Sequence, residues 1–376
     1  MRIALVNATP NAKMYPLGLL KIGAWRKHLG DECALFMDDL PAPGDFDQIW
    51  VSTLFTFDQP HALGIINEAM KRASRVWVGG IASSLIPEPY LATGADVHMG
   101  LLQEAEGFAP DYSLLRHPPQ YSIAYTSRGC VRKCPFCMVP KLEPDFQDRP
   151  AWPSDLNDSN RIMFYDNNWL AKPMDKIVRD VREIRALIEA GQISKVDFNQ
   201  GLDCRLLTDD HVDLLRGLPM KPIRFAFDGM QEDGSFQRAI TAMAQAGHKV
   251  FINYTLYNFT DRPTDFYYRL REQARLTEEL GVMVCAFPMR YQPILDADTR
   301  REYVGRHWTM PQRKGFMALL SQLSIAGQVS FHSLEDFEFW FGQSEAEFAA
   351  LLAYPRIREL AAKRAGEFRL RKARAR

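Results

Sequence analysis

The sequence predicts an α/β protein: a doubly wound, Rossmann-like parallel sheet, then a second run of strand–helix pairs, then a helical C-terminal segment. Three observations predict it. Short, nearly continuous apolar runs alternate with longer stretches of helical spacing, the pattern of parallel strands buried on both faces. The alternation is interrupted by a charged stretch carrying Pro110, Pro118 and Pro119, and restarts at Tyr121. Beyond residue 300 only helical spacing remains. At 376 residues the chain exceeds what one core usually supports. The expected division is 1–105, a linker at 106–120, a second domain at 121–300 and a helical cap with a basic tail at 301–376.

Composition narrows the class. Apolar residues make up 47% and charged residues 24%, ordinary for a soluble globular protein. Lys plus Arg equals Asp plus Glu at 46 each, so no overall field is directed at a polyanion or a membrane. The start, Met1-Arg-Ile-Ala-Leu-Val-Asn7, carries no long apolar segment or cleavage site, and no apolar run reaches membrane-spanning length. Six cysteines, three of them clustered, do not read as a disulfide framework. A cytoplasmic location and no membrane partner are expected.

The first domain reads as strands at 2–6, 32–37, 48–53, 75–79 and 95–99, with helices at 16–28 and about 61–74. Ligands on such sheets sit past the carboxyl ends of the strands. Those ends are Asn7–Pro10, Asp38-Asp39, Thr53–Phe57 and Gly79–Ser83. His28, His61 and His98 read as ordinary surface or core histidines.

The second domain opens with an alternating strand, Tyr121–Thr126, followed directly by Ser127-Arg-Gly-Cys130-Val-Arg-Lys-Cys134-Pro-Phe-Cys137. Thiolates are soft ligands suited to iron–sulfur clusters, zinc or copper(I). A [4Fe–4S] cluster normally takes four thiolates, so three from one loop leave one iron open to a substrate or cofactor. The alternative is a Cys3His zinc knuckle completed by His117. A knuckle does not predict the long strand–helix pattern that follows. Strands are expected at 161–165, 195–199, 223–227, 249–256 and 282–287, with helices near 173–190, 208–217, 233–247 and 264–280. The proline-rich stretch 138–160 is expected to wrap the cysteine site.

On the C-x3-C-x2-C spacing, with Phe136 just before the third cysteine, the chain resembles the radical SAM enzymes. The resemblance implies a partial (β/α)6 barrel of TIM type over 121–300. It implies that Cys130, Cys134 and Cys137 ligate a [4Fe–4S] cluster whose open iron chelates S-adenosylmethionine. One electron then cleaves that cofactor to methionine and a 5′-deoxyadenosyl radical, which takes hydrogen from a substrate. Flavodoxin or ferredoxin is the implied electron donor. The layout of the first domain, including Pro16-Leu-Gly-Leu-Leu20 and Val78-Gly-Gly-Ile-Ala-Ser83, resembles the cobalamin-binding domain of one large subfamily. The D-x-H-x-x-G signature is absent, and Asp38-Asp39-Leu40 offers no imidazole. A scaffold or substrate-binding role for this domain is the alternative.

Polar clusters follow each strand of the second domain, where chemistry sits in barrels of this type. The family's Gly-Gly-Glu is replaced here by Asp166-Asn167-Asn168; the resemblance makes Asp166 the candidate contact for the cofactor's amino group, with Asn167 a further cofactor-binding candidate. Arg205 is a candidate carboxylate clamp, since a guanidinium reads a carboxylate bidentately; the bland reading is an ion pair with Asp203 or Asp209. Asn199, Gln200 and Asp228 are candidates to orient ribose or substrate. Cys204 could face the cavity or simply pack; Cys33 and Cys285 read as core.

Helices are expected at 311–326, 333–340 and 345–363, with Phe337, Phe339, Trp340 and Phe341 packing the cap. The basic run from Lys363 to Arg376 reads as a solvated tail. It could also track phosphates, which makes a nucleoside or nucleic acid a candidate substrate class. Two rivals remain: a cobalamin-dependent radical methyltransferase, and a non-enzymatic metal-cluster protein that binds nucleic acid through this tail. Methylthio transfer is disfavoured, because no extra cysteines supply a second cluster.

Overall fold

A computed structural model describes residues 1–295 and 301–374. The expected boundary at residue 300 and the last two residues of the basic run lie outside the described residues. The chain divides into two compact units: Met1–Asn167 with Ala190–Ile193 and Pro293–Glu302, and Asn168–Glu189 with Ser194–Gln292 and Tyr303–Arg376.

In the first unit, β1 (Arg2–Asn7) is buried on both faces because its side chains alternate. Ile3 and Leu5 face α1 (Leu17–His28), meeting Leu19 and Trp50. β2 (Glu32–Met37) and β3 (Gln48–Ser52) flank β1, with Leu5 opposite both Leu35 and Trp50. Ala4 and Val6 face the other way, toward Ala62 and Ile66 of α2 (Gln59–Ala69). With β4 (Arg75–Gly79) and β5 (Asp96–Val97) the parallel order is β2-β1-β3-β4-β5. The order reverses between β1 and β3, where open sheets of this kind form a ligand crevice.

The same unit contains β6 (Ser122–Ala124), β7 (Ser127–Arg128), β8 (Gln147–Asp148) and β9 (Arg161–Phe164). β6 and β9 are parallel, with Ile123 opposite Met163. β7 and β8 pair antiparallel.

The second unit continues strand by helix: α3 (Met174–Glu189), β10 (Lys195–Phe198), α4 (Asp209–Leu215), β11 (Ile223–Ala226), α5 (Ser235–Gln245), β12 (Val250–Tyr257), α6 (Pro263–Leu280) and β13 (Met283–Arg290). β11, β12 and β13 are parallel, with Phe225 opposite Asn253 and Asn253 opposite Ala286. Ile223, Phe225 and Phe227 are fully buried, and Phe227 stacks on Phe236 of α5 at 4.5 Å. Arg224, Ala226 and Asp228 alternate to the opposite face and stay half-buried. The outer edge of β13 is covered, since Ala286 and Val329 exchange both backbone hydrogen bonds at 2.8 Å. The six strands expected between 121 and 300 all form, two in the first unit and four in the second.

Four helices complete the second unit: α7 (Met310–Leu323), α8 (Leu334–Phe341), α9 (Glu345–Leu352) and α10 (Ile357–Arg374). Trp308, Phe316, Phe337, Trp340, Phe341 and Phe348 pack with Tyr257 and Phe266 into one aromatic core. Two expectations change here. The single helix expected over 345–363 is two, separated at 353–356 around Pro355; proline lacks the N–H a helix interior needs and disfavours helical backbone before it. The basic run is helical to Arg374 rather than an irregular tail, and most of its described basic side chains stay exposed. Ile357, Ala361 and Ala365 bury one side of α10, and Lys372 and Arg371 pair with Asp336 and Glu335 of α8 at 2.7 and 2.5 Å.

Candidate functional site

In the first unit, the segment between β6 and Cys130 is held by two carboxylates. Asp166, two residues past β9 and 3% exposed, accepts hydrogen bonds from the Thr126 backbone N–H at 3.0 Å and from the Thr126 and Ser127 hydroxyls at 2.6 Å. Charge-assisted bonds of this kind are about twice as strong as neutral ones. Asp166 therefore braces the strand end that leads into the cysteine loop.

The second carboxylate is Glu143, which accepts from the Gly129 N–H at 2.8 Å, from Arg128 at 3.0 Å and from the Asn167 amide at 2.9 Å. Arg128 also reaches Glu106 at 3.2 Å and lies over the Tyr125 ring at 3.7 Å. Glu106 takes Arg149 at 3.3 Å, and its backbone oxygen takes the buried Lys21 ammonium of α1 at 3.2 Å. Burial pulls the Lys21 pKa down against the partial restoring pull of Asp155, 3.8 Å away. No sequence signal marked Glu143, Glu106 or Lys21, because each acts through contacts distant in the chain.

Cys130, Cys134 and Cys137 lie partly exposed in an irregular loop, with Phe136 partly buried beside them. The Arg132 N–H donates to the Cys130 sulfur at 3.3 Å, and the Cys137 N–H to the Cys134 carbonyl at 3.0 Å. Among the described residues no three His, Cys, Asp or Glu side chains stand in ready-made ligand geometry. What fits a cluster here is the donor set itself: three thiols in one accessible loop, with one backbone N–H, that of Arg132, turned toward sulfur.

In the second unit, Arg205 forks onto Asp203 at 2.7 and 3.2 Å and reaches Glu232 at 3.0 Å. Its guanidinium is thus engaged within the chain, by Asp203 as one reading expected. Asn168, whose amide donates to Asp203 at 3.2 Å, has a buried side-chain carbonyl oxygen with no hydrogen-bond donor among the described residues. Asn199 is half-buried and its backbone oxygen accepts from the Tyr254 hydroxyl; Gln200 is exposed. Asp228, two residues past β11, accepts a hydrogen bond from the Leu256 N–H at 3.0 Å. Burial, reinforced by Glu232, pushes its carboxyl up to about 7 despite Arg269 and Arg205. Arg269 is fully buried and donates to the Phe227 and Leu256 carbonyls at 2.7 and 2.8 Å. Cys204 is 1% exposed and points its thiol at the Ala226 carbonyl at 3.7 Å, with burial raising its pKa to about 12. It packs; Cys285, 3% exposed, does the same.

The first unit also contains a cavity of about 600 Å³ lined by Asp38, Asp39, His61, Glu68 and Arg72 among others. His61 pairs with Asp38, so the fold brings an imidazole to the end of β2 that the local sequence did not offer.

No family model matches the chain. Among curated proteins it is similar to the ribosomal protein uS12 methylthiotransferase RimO of Xanthomonas campestris pv. campestris and of Stenotrophomonas maltophilia. Each is 26% identical over 134 residues, covering 30% of this chain. The chain thus spans only 29% and 30% of the length of these relatives. Among solved structures it is similar to the radical S-adenosylmethionine methyltransferase TsrM from Kitasatospora setae with cobalamin and a [4Fe-4S] cluster bound. The TM-score is 0.58 at 14% identity, over 77% of this chain and 74% of that one. The TsrM complex with tryptophan and the analogue aza-SAM gives 0.56 at 13%, over 77% and 73%. At these identities the likeness establishes the fold, which is that of TsrM. The chain thus shares a fold with TsrM and, over about a third of its length, a sequence likeness with RimO.

Proposed function

We propose that the chain binds a [4Fe–4S] cluster through Cys130, Cys134 and Cys137 and, with S-adenosylmethionine, performs hydrogen abstraction on an organic substrate. The C-x3-C-x2-C loop, entered from β6 in a chain of the TsrM fold, is the observation that carries this reading. The bound cluster would supply the electron that breaks a carbon–sulfur bond of S-adenosylmethionine. The chain's own part is to hold, orient and exclude water. Asp166 and Glu143 fix the approach to the loop, and Phe136 offers an apolar face beside the third thiolate. Asn167, in the same unit as the cysteine loop, is the proposed polar contact for the cofactor's amino acid end. Asp228 can hold a proton near neutral pH and offer it, or accept one, at a ligand hydroxyl.

Cobalamin-dependent methyl transfer is the second reading, favoured by the β2-β1-β3-β4-β5 order of the first unit and by the cobalamin-bound neighbour. Methylthio transfer, the activity named for the RimO relatives, is less supported: Cys204 and Cys285 are buried packing residues, leaving Cys33 alone. A flavodoxin or ferredoxin in a reducing cytoplasm would serve as reductant. The exposed basic residues of α10 support a nucleoside or nucleic-acid substrate. Among the described residues no helix is long and apolar enough to cross a membrane.

The test is anaerobic reconstitution, then dithionite and S-adenosylmethionine, with 5′-deoxyadenosine followed by mass spectrometry with and without cobalamin. Its formation is the expected result. Zinc in place of iron, with no cleavage, would overturn the reading.

A further inference from the structure

Residues 130–142 form a loop whose neck is closed by the chain itself. Across the neck, β7 and β8 pair with Ser127 opposite Asp148 and Arg128 opposite Gln147. Gly129 adopts φ +77°, and a Cβ there would lie 2.2 Å from the Asp145 carbonyl oxygen. The returning strand of the loop is therefore packed against its outgoing strand one residue before Cys130. Glu143 occupies this junction. Its carboxylate is shared by three donors from two segments: the Gly129 N–H, the Arg128 guanidinium and the Asn167 amide. The first two immediately precede Cys130, and the third belongs to the turn after β9. Arg128 is held from its other side by Glu106 at 3.2 Å, so Glu143 is one half of a two-carboxylate clamp on the residue that precedes Gly129.

We propose that Glu143 is a positioning residue that couples cluster assembly in the cysteine loop to cofactor binding at the Asn167 turn. The inference rests on the cluster reading above. A loop whose neck is closed before the metal arrives loses less conformational freedom on binding it, and outer hydrogen bonds fix the orientation of the ligands. A carboxylate is required because all three partners are donors. An amide would turn its own N–H groups toward at least one of them.

The test uses the full chain, reconstituted without oxygen, as wild type, Glu143→Gln and Asn167→Ala. Iron retained after desalting and the electron paramagnetic resonance of the reduced cluster are followed as S-adenosylmethionine is titrated. Glu143→Gln is expected to retain about a fifth of the wild-type iron, with a near-native circular dichroism spectrum. Asn167→Ala is expected to retain iron fully while needing about tenfold more S-adenosylmethionine for the half-maximal spectral change. If Glu143→Gln does not fold, Glu143→Asp carries the comparison and should retain iron at an intermediate level. Wild-type iron retention and wild-type titration in the Glu143 variant would overturn the proposal. A wild-type protein that takes up no iron would instead remove the reading beneath it.

Discussion

Asp166, two residues beyond β9, and Asp228, two residues beyond β11, are the same residue type at corresponding positions of two strand ends, yet their carboxylates meet different surroundings. Asp166 accepts three hydrogen bonds from Thr126 and Ser127. Asp228 has one donor, the Leu256 N–H, among the described residues, and shares its surroundings with Glu232. Three donors make Asp166 a brace on the strand end. Burial, with a neighbouring carboxylate and one donor, leaves Asp228 a group that keeps its proton to about 7. Position at the end of a strand therefore nominates a residue for a site, and the burial, charges and donors around it decide what it can do there.

The braced region should break hardest at Gly129. Gly129→Ala puts a side chain on left-handed backbone against the Asp145 carbonyl. A loss of about 3 kcal/mol, the upper end of backbone strain, is expected in denaturant melts. Unchanged stability would mean that the neck opens freely. Asp166→Asn comes next. One amide oxygen can replace one acceptor, and the amide nitrogen then faces a hydroxyl donor. The expected cost is about 2 kcal/mol, with lowered iron retention.

At the open carboxylate the effect should depend on pH. The folded-state pKa of Asp228 lies above its ordinary value, so the folded protein binds this proton more tightly than the unfolded chain. The corresponding stability is present at acid pH and is lost as pH rises from about 4 to about 7. Asp228→Asn removes that slope and should be more stable than wild type at pH 8 by about 1–2 kcal/mol, screening included. Equal stability profiles from pH 4 to 8 would show that Asp228 titrates like an ordinary carboxylate and contradict this reading. The smallest effect is expected at Arg205→Gln. Removing a guanidinium that favours the charged form of Asp228 should raise its titration by about half a unit, read from the carboxyl carbon by NMR.

Local pattern carried the strands and most helices. β2 and β4 fall on the expected residues, and β10 and β11 end one residue early. The cysteine spacing was legible because the three donors lie within one loop. What stayed hidden depends on contacts between distant segments. Glu143 meets Asn167 across 24 positions, Lys21 meets Glu106 across 85, and His61 meets Asp38 across 23. The basic run from Lys363 misled because its like charge was weighed above the apolar side of the whole helix α10, Ile357, Ala361 and Ala365, which finds a core to bury against.

The central claim is that Cys130, Cys134 and Cys137 carry the cluster. Iron and sulfide counted per chain in anaerobically reconstituted wild type and Cys134→Ala, with 5′-deoxyadenosine measured on the same samples, test it most directly. The account predicts about four irons in wild type, as a [4Fe–4S] cluster requires, and loss of both the intact cluster and cleavage in the variant. Full iron and undiminished cleavage in Cys134→Ala would contradict it.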